Sequence, residues 1–123
     1  MNQVTPRLKL WLEKDGQIIM SDYRVRLLER IGESASLSQA ASEMNLSYRR
    51  AWGKVKELEE NLGIKLVESE VGGAGGGHTT LSPQGLALVR AYRAFQQRMA
   101  TGLQEAFESE LAAITPQATG AEH

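Results

Sequence analysis

Apolar residues first alternate with polar ones along the chain and then recur at every third or fourth position. Leu8, Leu10 and Leu12 alternate with Lys9, Trp11 and Glu13, the two-residue period of a half-buried strand. Asp15-Gly16 is a tight-turn dipeptide followed by the apolar run Ile18-Ile19-Met20, so residues 7–20 are predicted to form a β-hairpin. Ser21 stands where a helix N-cap is needed, with Asp22 suited to the positive end of the helix. Leu27, Leu28 and Ile31 face inward from that helix, and Gly32 is expected to end it.

Two closely spaced helices follow. Ser36 caps a helix over residues 37–44, in which Leu37, Ala40, Ala41 and Met44 share one face. Asn45 tolerates the left-handed conformation of a sharp turn, and Leu46 buries that turn. Ser47 caps a third helix with Ala51, Val55, Leu58 and Leu62 on its inner face, stopped by Gly63. Residues 64–70 read as a short strand carrying Leu66 and Val67, and His78 to Leu81 as its return after a glycine cluster at positions 72–77. Ser82-Pro83 then opens a helix that continues to about Leu111. The fold class is therefore mainly α with a small β component: a winged helix-turn-helix with an N-terminal β-hairpin and a long C-terminal dimerisation helix. The chain divides into a winged helix-turn-helix domain at 1–81, a linker helix at 82–114 and a disordered tail at 115–123.

The third helix carries the chemistry. Between Met44 and Lys56 the cations Arg49, Arg50, Lys54 and Lys56 are present without an acid, and Glu57, Glu59 and Glu60 come only afterwards, in the pattern of solvated charges. Tyr48, Arg49, Trp52 and Lys56 fall near one outer stripe, with Arg50 to one side, placed for a phosphate or an intramolecular acid. Arginine can pair bidentately with guanine, and an aromatic ring can touch a thymine methyl. The helix N-termini at Ser36 and Ser47 offer N–H groups to phosphates, and small pairs such as Ala40 and Ala41 let the helices approach closely. Gly75 and Gly76 would let a wing tip approach a duplex, and His78 could reach a phosphate or the minor groove. The bland readings stay open: a solvated cationic face, a Trp52 tucked against the core, a merely loose wing loop and a histidine without a role.

Composition narrows the classes. The chain has 123 residues, enough for one domain with a real core, and 14 Lys and Arg against 15 Asp and Glu for a net charge of -1. DNA binding must then rest on local charge, and the mild acidity favours a rival reading as a protein-interaction module built on the same fold. With no cysteine and only His78 and His123, neither a metal nor another cofactor is expected. No nucleophile, base and orienting group converge, so an enzyme is not expected. Gly77 is followed by His78-Thr79, not by the Lys-Ser/Thr of a nucleotide-binding loop. No apolar run would span a membrane and no signal-peptide layout opens the chain, so a cytoplasmic location is expected.

Leu88, Tyr92, Phe95, Met99 and Ala106 advance in four- and three-residue steps, with Gly102 in the slot between the last two. Phe107 and Leu111 extend this apolar side. Before Phe95 the stripe can pack on its own domain. Beyond it little chain is left to cover the helix, so a second copy is the expected partner, and a twofold dimer would read a pseudo-palindromic operator.

The segments Ala35-Ser36-Leu37-Ser38-Gln39-Ala40-Ala41, Leu46-Ser47-Tyr48-Arg49-Arg50-Ala51-Trp52 and Leu66-Val67-Glu68, with the glycine-packed wing ending in Leu81-Ser82-Pro83-x-Gly85, closely resemble the N-terminal DNA-binding domain of the molybdate-responsive (ModE-type) transcription regulators. The resemblance runs from about Leu8 to Tyr92, and the same core resembles the LysR-type winged helix more distantly. It implies a dimeric, bacterial DNA-binding regulator, with contacts at Ser36, Gln39, Ser47, Tyr48, Arg49, Trp52 and the wing. The regulators it resembles carry molybdate-binding domains after this part. Only residues 93–123 follow Tyr92 here, so molybdate binding by this chain is not expected. An oxyanion or other small-ligand sensor is kept as a further alternative.

Overall fold

The computed structural model describes residues 3–70 and 78–116. Its elements are β1 (Trp11–Lys14), β2 (Gln17–Ser21), α1 (Asp22–Ser34), α2 (Leu37–Glu43), α3 (Tyr48–Leu62), β3 (Val67–Glu70), β4 (His78–Leu81) and α4 (Pro83–Glu110), closed by a 3-10 turn at Ala112–Ile114. This is a mainly helical winged helix-turn-helix with a long last helix. The glycine cluster, including Gly75 and Gly76, and most of the tail expected to be disordered lie outside the described residues.

The chain forms two compact units. One is Leu10–Tyr92; the other joins the segment up to Lys9 with the chain from Arg93 onward.

Within Leu10–Tyr92 the core is a single apolar cluster. Met20, Val25, Leu28 and Ile31 meet Leu37, Ala40 and Ala41 of α2, Ala51, Val55 and Leu58 of α3, and Leu66 and Val67 of the wing, all essentially without solvent contact. The caps fall where the sequence predicts them: the hydroxyls of Ser21, Ser36 and Ser47 accept from the N–H groups of Arg24, Gln39 and Arg50. Asn45 adopts a φ of 57° in the turn between α2 and α3, where Leu46 N–H donates to Ala41 O at 2.8 Å. Gly63 ends α3 at a φ of 70°.

Three expectations about boundaries are corrected. The hairpin is shorter than residues 7–20, beginning only at Trp11, which pairs with Ser21. Ser21 is already the cap of α1, so β2 has no residue left to pair with Leu10 or Leu8, and Leu8 is exposed. The hairpin turn itself places Asp15 and Gly16 both at positive φ, and the register slips between Leu12 and Glu13, leaving Ile19 as a bulge. Second, Gly32 does not stop α1, which runs on to Ser34 and ends with Ala35 in the left-handed region at φ 55°. Gly32 serves packing instead: a Cβ there would sit 3.0 Å from Leu81 Cδ1. Third, the wing strand begins at Val67, after an exposed Ile64.

The wing is tied down at its base. β3 pairs antiparallel with β4 from Val67↔Leu81 to Glu70↔His78, and Thr79 N–H donates to Ala35 O at 3.2 Å. Ser82, itself buried, donates through its hydroxyl to Lys65 O at 2.6 Å and through its N–H to Leu66 O at 2.8 Å, while its oxygen accepts from Gly85 N–H and so caps α4.

In the other unit, Val4 N–H donates to Pro116 O at 2.9 Å, and Pro6 lines an open, mostly apolar groove with Leu103, Ala106, Phe107, Glu110 and Leu111. Phe107 is buried there. The expectation that little chain is left to cover the far part of the last helix is thereby modified, because Pro6 of the segment before β1 packs beside it.

Candidate nucleic-acid interface

α3 presents two contrasting faces. Ala51, Val55 and Leu58 are buried, whereas Ser47, Tyr48, Arg49 and Arg50 at its N-terminal end are exposed, Tyr48 by 57 %. The helix stands this way because its apolar residues recur at four- and three-residue steps against α1 and α2. Arg49 and Arg50 make no ion pair among the described residues. The Ser47 hydroxyl accepts from Arg50 N–H at 3.1 Å, and the first intrahelical bond runs from Ala51 N–H to Ser47 O, which leaves the N–H groups of Tyr48 and Arg49 at the open helix end. At α2, Ser36 spends its oxygen on Gln39 N–H in the same way.

The other predicted contact residues are occupied within the fold to different degrees. Gln39 donates through its side-chain amide to Glu43 at 3.1 Å, and Glu43 also pairs with Arg30 at 3.4 Å. Lys54 Nζ lies 5.5 Å from the centroid of the Tyr23 ring. Lys56 Nζ stands 4.4 Å from the centroid of the half-buried Trp52 ring and donates to Glu59 at 3.0 Å. His78 is exposed at the end of the wing strands away from their root, opposite Glu70.

Glu59 is the residue that sequence reasoning misread. Expected among solvated charges with Glu57 and Glu60, its side chain is only 11 % exposed. Its second oxygen accepts from Leu66 N–H at 2.7 Å and Val67 N–H at 3.2 Å. Desolvation alone would push this carboxyl up. The bonds from Leu66, Lys56 and Val67, with the Lys56 charge, outweigh it and hold the group below the ordinary glutamate range. Spacing from Lys56 was the one available signal, because the two amides lie seven and eight positions further on, where the chain enters β3, beyond the reach of helix periodicity. Glu57 is also engaged, with Arg24 at 3.3 Å, and Lys14 of the hairpin donates to Asn61 O at 3.0 Å in the last turn of α3. A cation there suits the negative end of the helix.

Of the predicted seam, Phe95 is half-buried and Met99 and Ala106 are exposed. Tyr92 differs: it is 2 % exposed and its hydroxyl donates to Leu10 O at 3.0 Å. Its side chain is spent on its own unit, so it is withdrawn from a surface that a partner helix would share. No group of three or more His, Cys, Asp or Glu is arranged to hold a metal among the described residues, and no described helix is long and apolar enough to cross a membrane.

Comparison with known proteins agrees with this architecture. The sequence profile of bacterial regulatory helix-turn-helix proteins of the lysR family matches residues 23–86, from α1 into α4. Over 100 residues, 81 % of this chain and 36 % of the relative, the sequence is 38 % identical to the molybdenum-pterin-binding protein MopB of Rhodobacter capsulatus. Over 83 residues, 68 % of this chain and 32 % of the relative, it is 34 % identical to the DNA-binding transcriptional dual regulator ModE of Escherichia coli K12. The chain thus spans about a third of the length of these curated relatives. Among solved structures, the CbnR DNA-binding domain in complex with DNA superposes with a TM-score of 0.55 at 18 % identity, over 73 % of this chain and 98 % of that one.

Proposed function

The chain belongs to the lysR family of bacterial regulatory helix-turn-helix proteins, a family of DNA-binding transcription regulators, and on that premise we propose that it is a homodimer that inserts the N-terminal end of α3 into the major groove of an operator. Arg49 reads base edges, and Tyr48 and Trp52 supply apolar contacts. Arg50 and Lys54 approach phosphates, joined by the helix N-termini at Ser36 and Ser47 and by Gln39. The wing, with Gly75, Gly76 and His78, follows the backbone. Leu88, Phe95, Met99 and Ala106 of α4 form the seam with a second copy, so that two half-sites of a pseudo-palindrome are read about a helical turn apart. The proposed ligand is DNA; no oxyanion is invoked.

One observation carries this reading: Tyr48, Arg49 and Arg50 stand in solvent on the first turn of a helix whose opposite face is buried. The overall charge of -1 is no obstacle, because the acids of α3 lie toward its far end and Glu57 and Glu59 are paired within the fold. The test is a titration of labelled mixed-sequence duplex at about 50 and 200 mM salt, followed by selection of bound duplex from random sequence. Affinity should fall steeply with salt, and selection should return a site with twofold character. A salt-independent or absent signal would reject DNA as the partner and favour the protein-interaction reading.

A further inference from the structure

Trp52, Lys56 and Glu59 follow one another at four- and three-residue steps, which places them along one face of α3. The Lys56 ammonium lies between the other two, 4.4 Å from the Trp52 ring centroid and 3.0 Å from Glu59 Oε1. Glu59 Oε2 takes the amides of Leu66 and Val67, at the point where the chain enters β3. The same Leu66 turns its carbonyl to Ser82 N–H at the start of α4 and is itself fully buried. A single carboxylate therefore joins, through Lys56, the half-buried Trp52 of the helix to the root of the wing.

Two physical points give this link a role beyond holding the fold. A cation bound to both a ring and a carboxylate is not free to swing toward phosphates as an unpaired lysine does, so Lys56 acts on the orientation of Trp52 more than on the duplex backbone. The two amides, in turn, share one carboxylate oxygen, Oε2, and bonds to a charged acceptor are roughly twice as strong as bonds to a neutral one, so an uncharged amide oxygen in its place would hold them more weakly.

We propose that Glu59 is a positioning residue for DNA recognition: one oxygen steadies Lys56 across Trp52, the other holds the entry of the wing strand, and the helix and wing thereby meet the duplex in one register. This rests on the DNA-binding function proposed above. It runs against the simple electrostatic expectation, in which removing a negative charge beside a DNA-binding helix tightens binding.

The test uses the full chain carrying Trp11→Phe, which leaves Trp52 as the sole tryptophan, with and without Glu59→Gln. In the absence of DNA, Glu59→Gln should shift the Trp52 emission and speed hydrogen exchange at the Leu66 and Val67 amides. With DNA, the preference for the selected site over mixed sequence should fall about tenfold, the scale of one lost base-pair contact. Unchanged emission and exchange, or an unchanged or stronger site preference, would overturn the proposal. Should Glu59→Gln fail to fold, Lys56→Met keeps the Glu59 bonds to the wing and removes only the ammonium. It should shift Trp52 emission and reduce site preference while leaving the salt slope intact. A salt slope smaller by about one, with selected and mixed sequences weakened alike, would make Lys56 a phosphate anchor and end the proposal. Wild-type protein that binds no DNA overturns the function itself, whereas wild type that binds beside an indifferent Glu59→Gln variant overturns this inference alone.

Discussion

Gly85 approaches Leu66 so closely that a Cβ at position 85 would fall on the Leu66 carbonyl oxygen, the same oxygen that accepts from Ser82 N–H. Backbone stands against backbone there, with no flexible side chain to give way. The wing strand and the first turn of α4 can pack only if position 85 is glycine.

Gly85→Ala should therefore destabilise the protein by about 2–4 kcal/mol, at the upper end for overpacking, because the strand or the helix must shift bodily. Chemical denaturation checks this through the midpoint at constant m-value. A midpoint within experimental error of wild type would mean that the two elements slide apart at little cost.

Arg49→Ala should lose about 1–3 kcal/mol at the selected site and relax the preference at one base pair. Arg50→Ala should weaken selected and mixed sequences in parallel and flatten the salt dependence. Binding titrations across salt concentrations measure both, and identical behaviour of the two variants would remove the distinction between base reading and phosphate anchoring.

Acid should act on Glu59 in a defined direction. The folded protein holds this carboxyl below the ordinary glutamate range, so the unfolded chain binds its proton first as pH falls. Its contribution to stability is complete near neutrality and is lost as pH drops through the folded value. Thermal melts from pH 7 down to about pH 3 should show a smaller acid-dependent loss in Glu59→Gln than in wild type. Parallel pH profiles for the two proteins would contradict it.

Two substitutions separate the seam proposed on α4 from the fold itself. Met99 is 39 % exposed, so Met99→Glu costs the single chain little and should convert dimer to monomer in sedimentation analysis, since it buries a charge at the seam. Tyr92→Phe leaves the Leu10 carbonyl without its donor and should lower stability by about 0.5–1.5 kcal/mol while leaving the molecular mass unchanged. An unaltered mass for Met99→Glu would exclude this face as the dimer contact.

Much of the architecture was readable from local spacing. The caps at Ser21, Ser36 and Ser47, the left-handed Asn45 and the buried faces of α1, α2 and α3 all involve residues within about four positions of each other, which is the range over which a helix or turn is decided. The exposed group Tyr48-Arg49-Arg50 follows from the same periodicity, since the buried face of α3 dictates the other. Where expectation and structure part, the cause lies far along the chain. Leu8 lacks a strand partner because Ser21 turns to capping, and Gly32 sits inside α1 with a packing role, since its missing Cβ makes room for Leu81.

Helix ends, amphipathic stripes and turn conformations were thus set by neighbours in the chain, because their hydrogen bonds and packing steps close within one or two turns. Which charges remain free was a tertiary matter. Glu59, Lys56, Lys54 and Tyr92 are spent on Leu66, Trp52, Tyr23 and Leu10, while Arg49 and Arg50 are left to solvent. Three of those four pairings join residues that only the folded chain brings within reach, and a polar group's availability depends on such partners more than on its own identity.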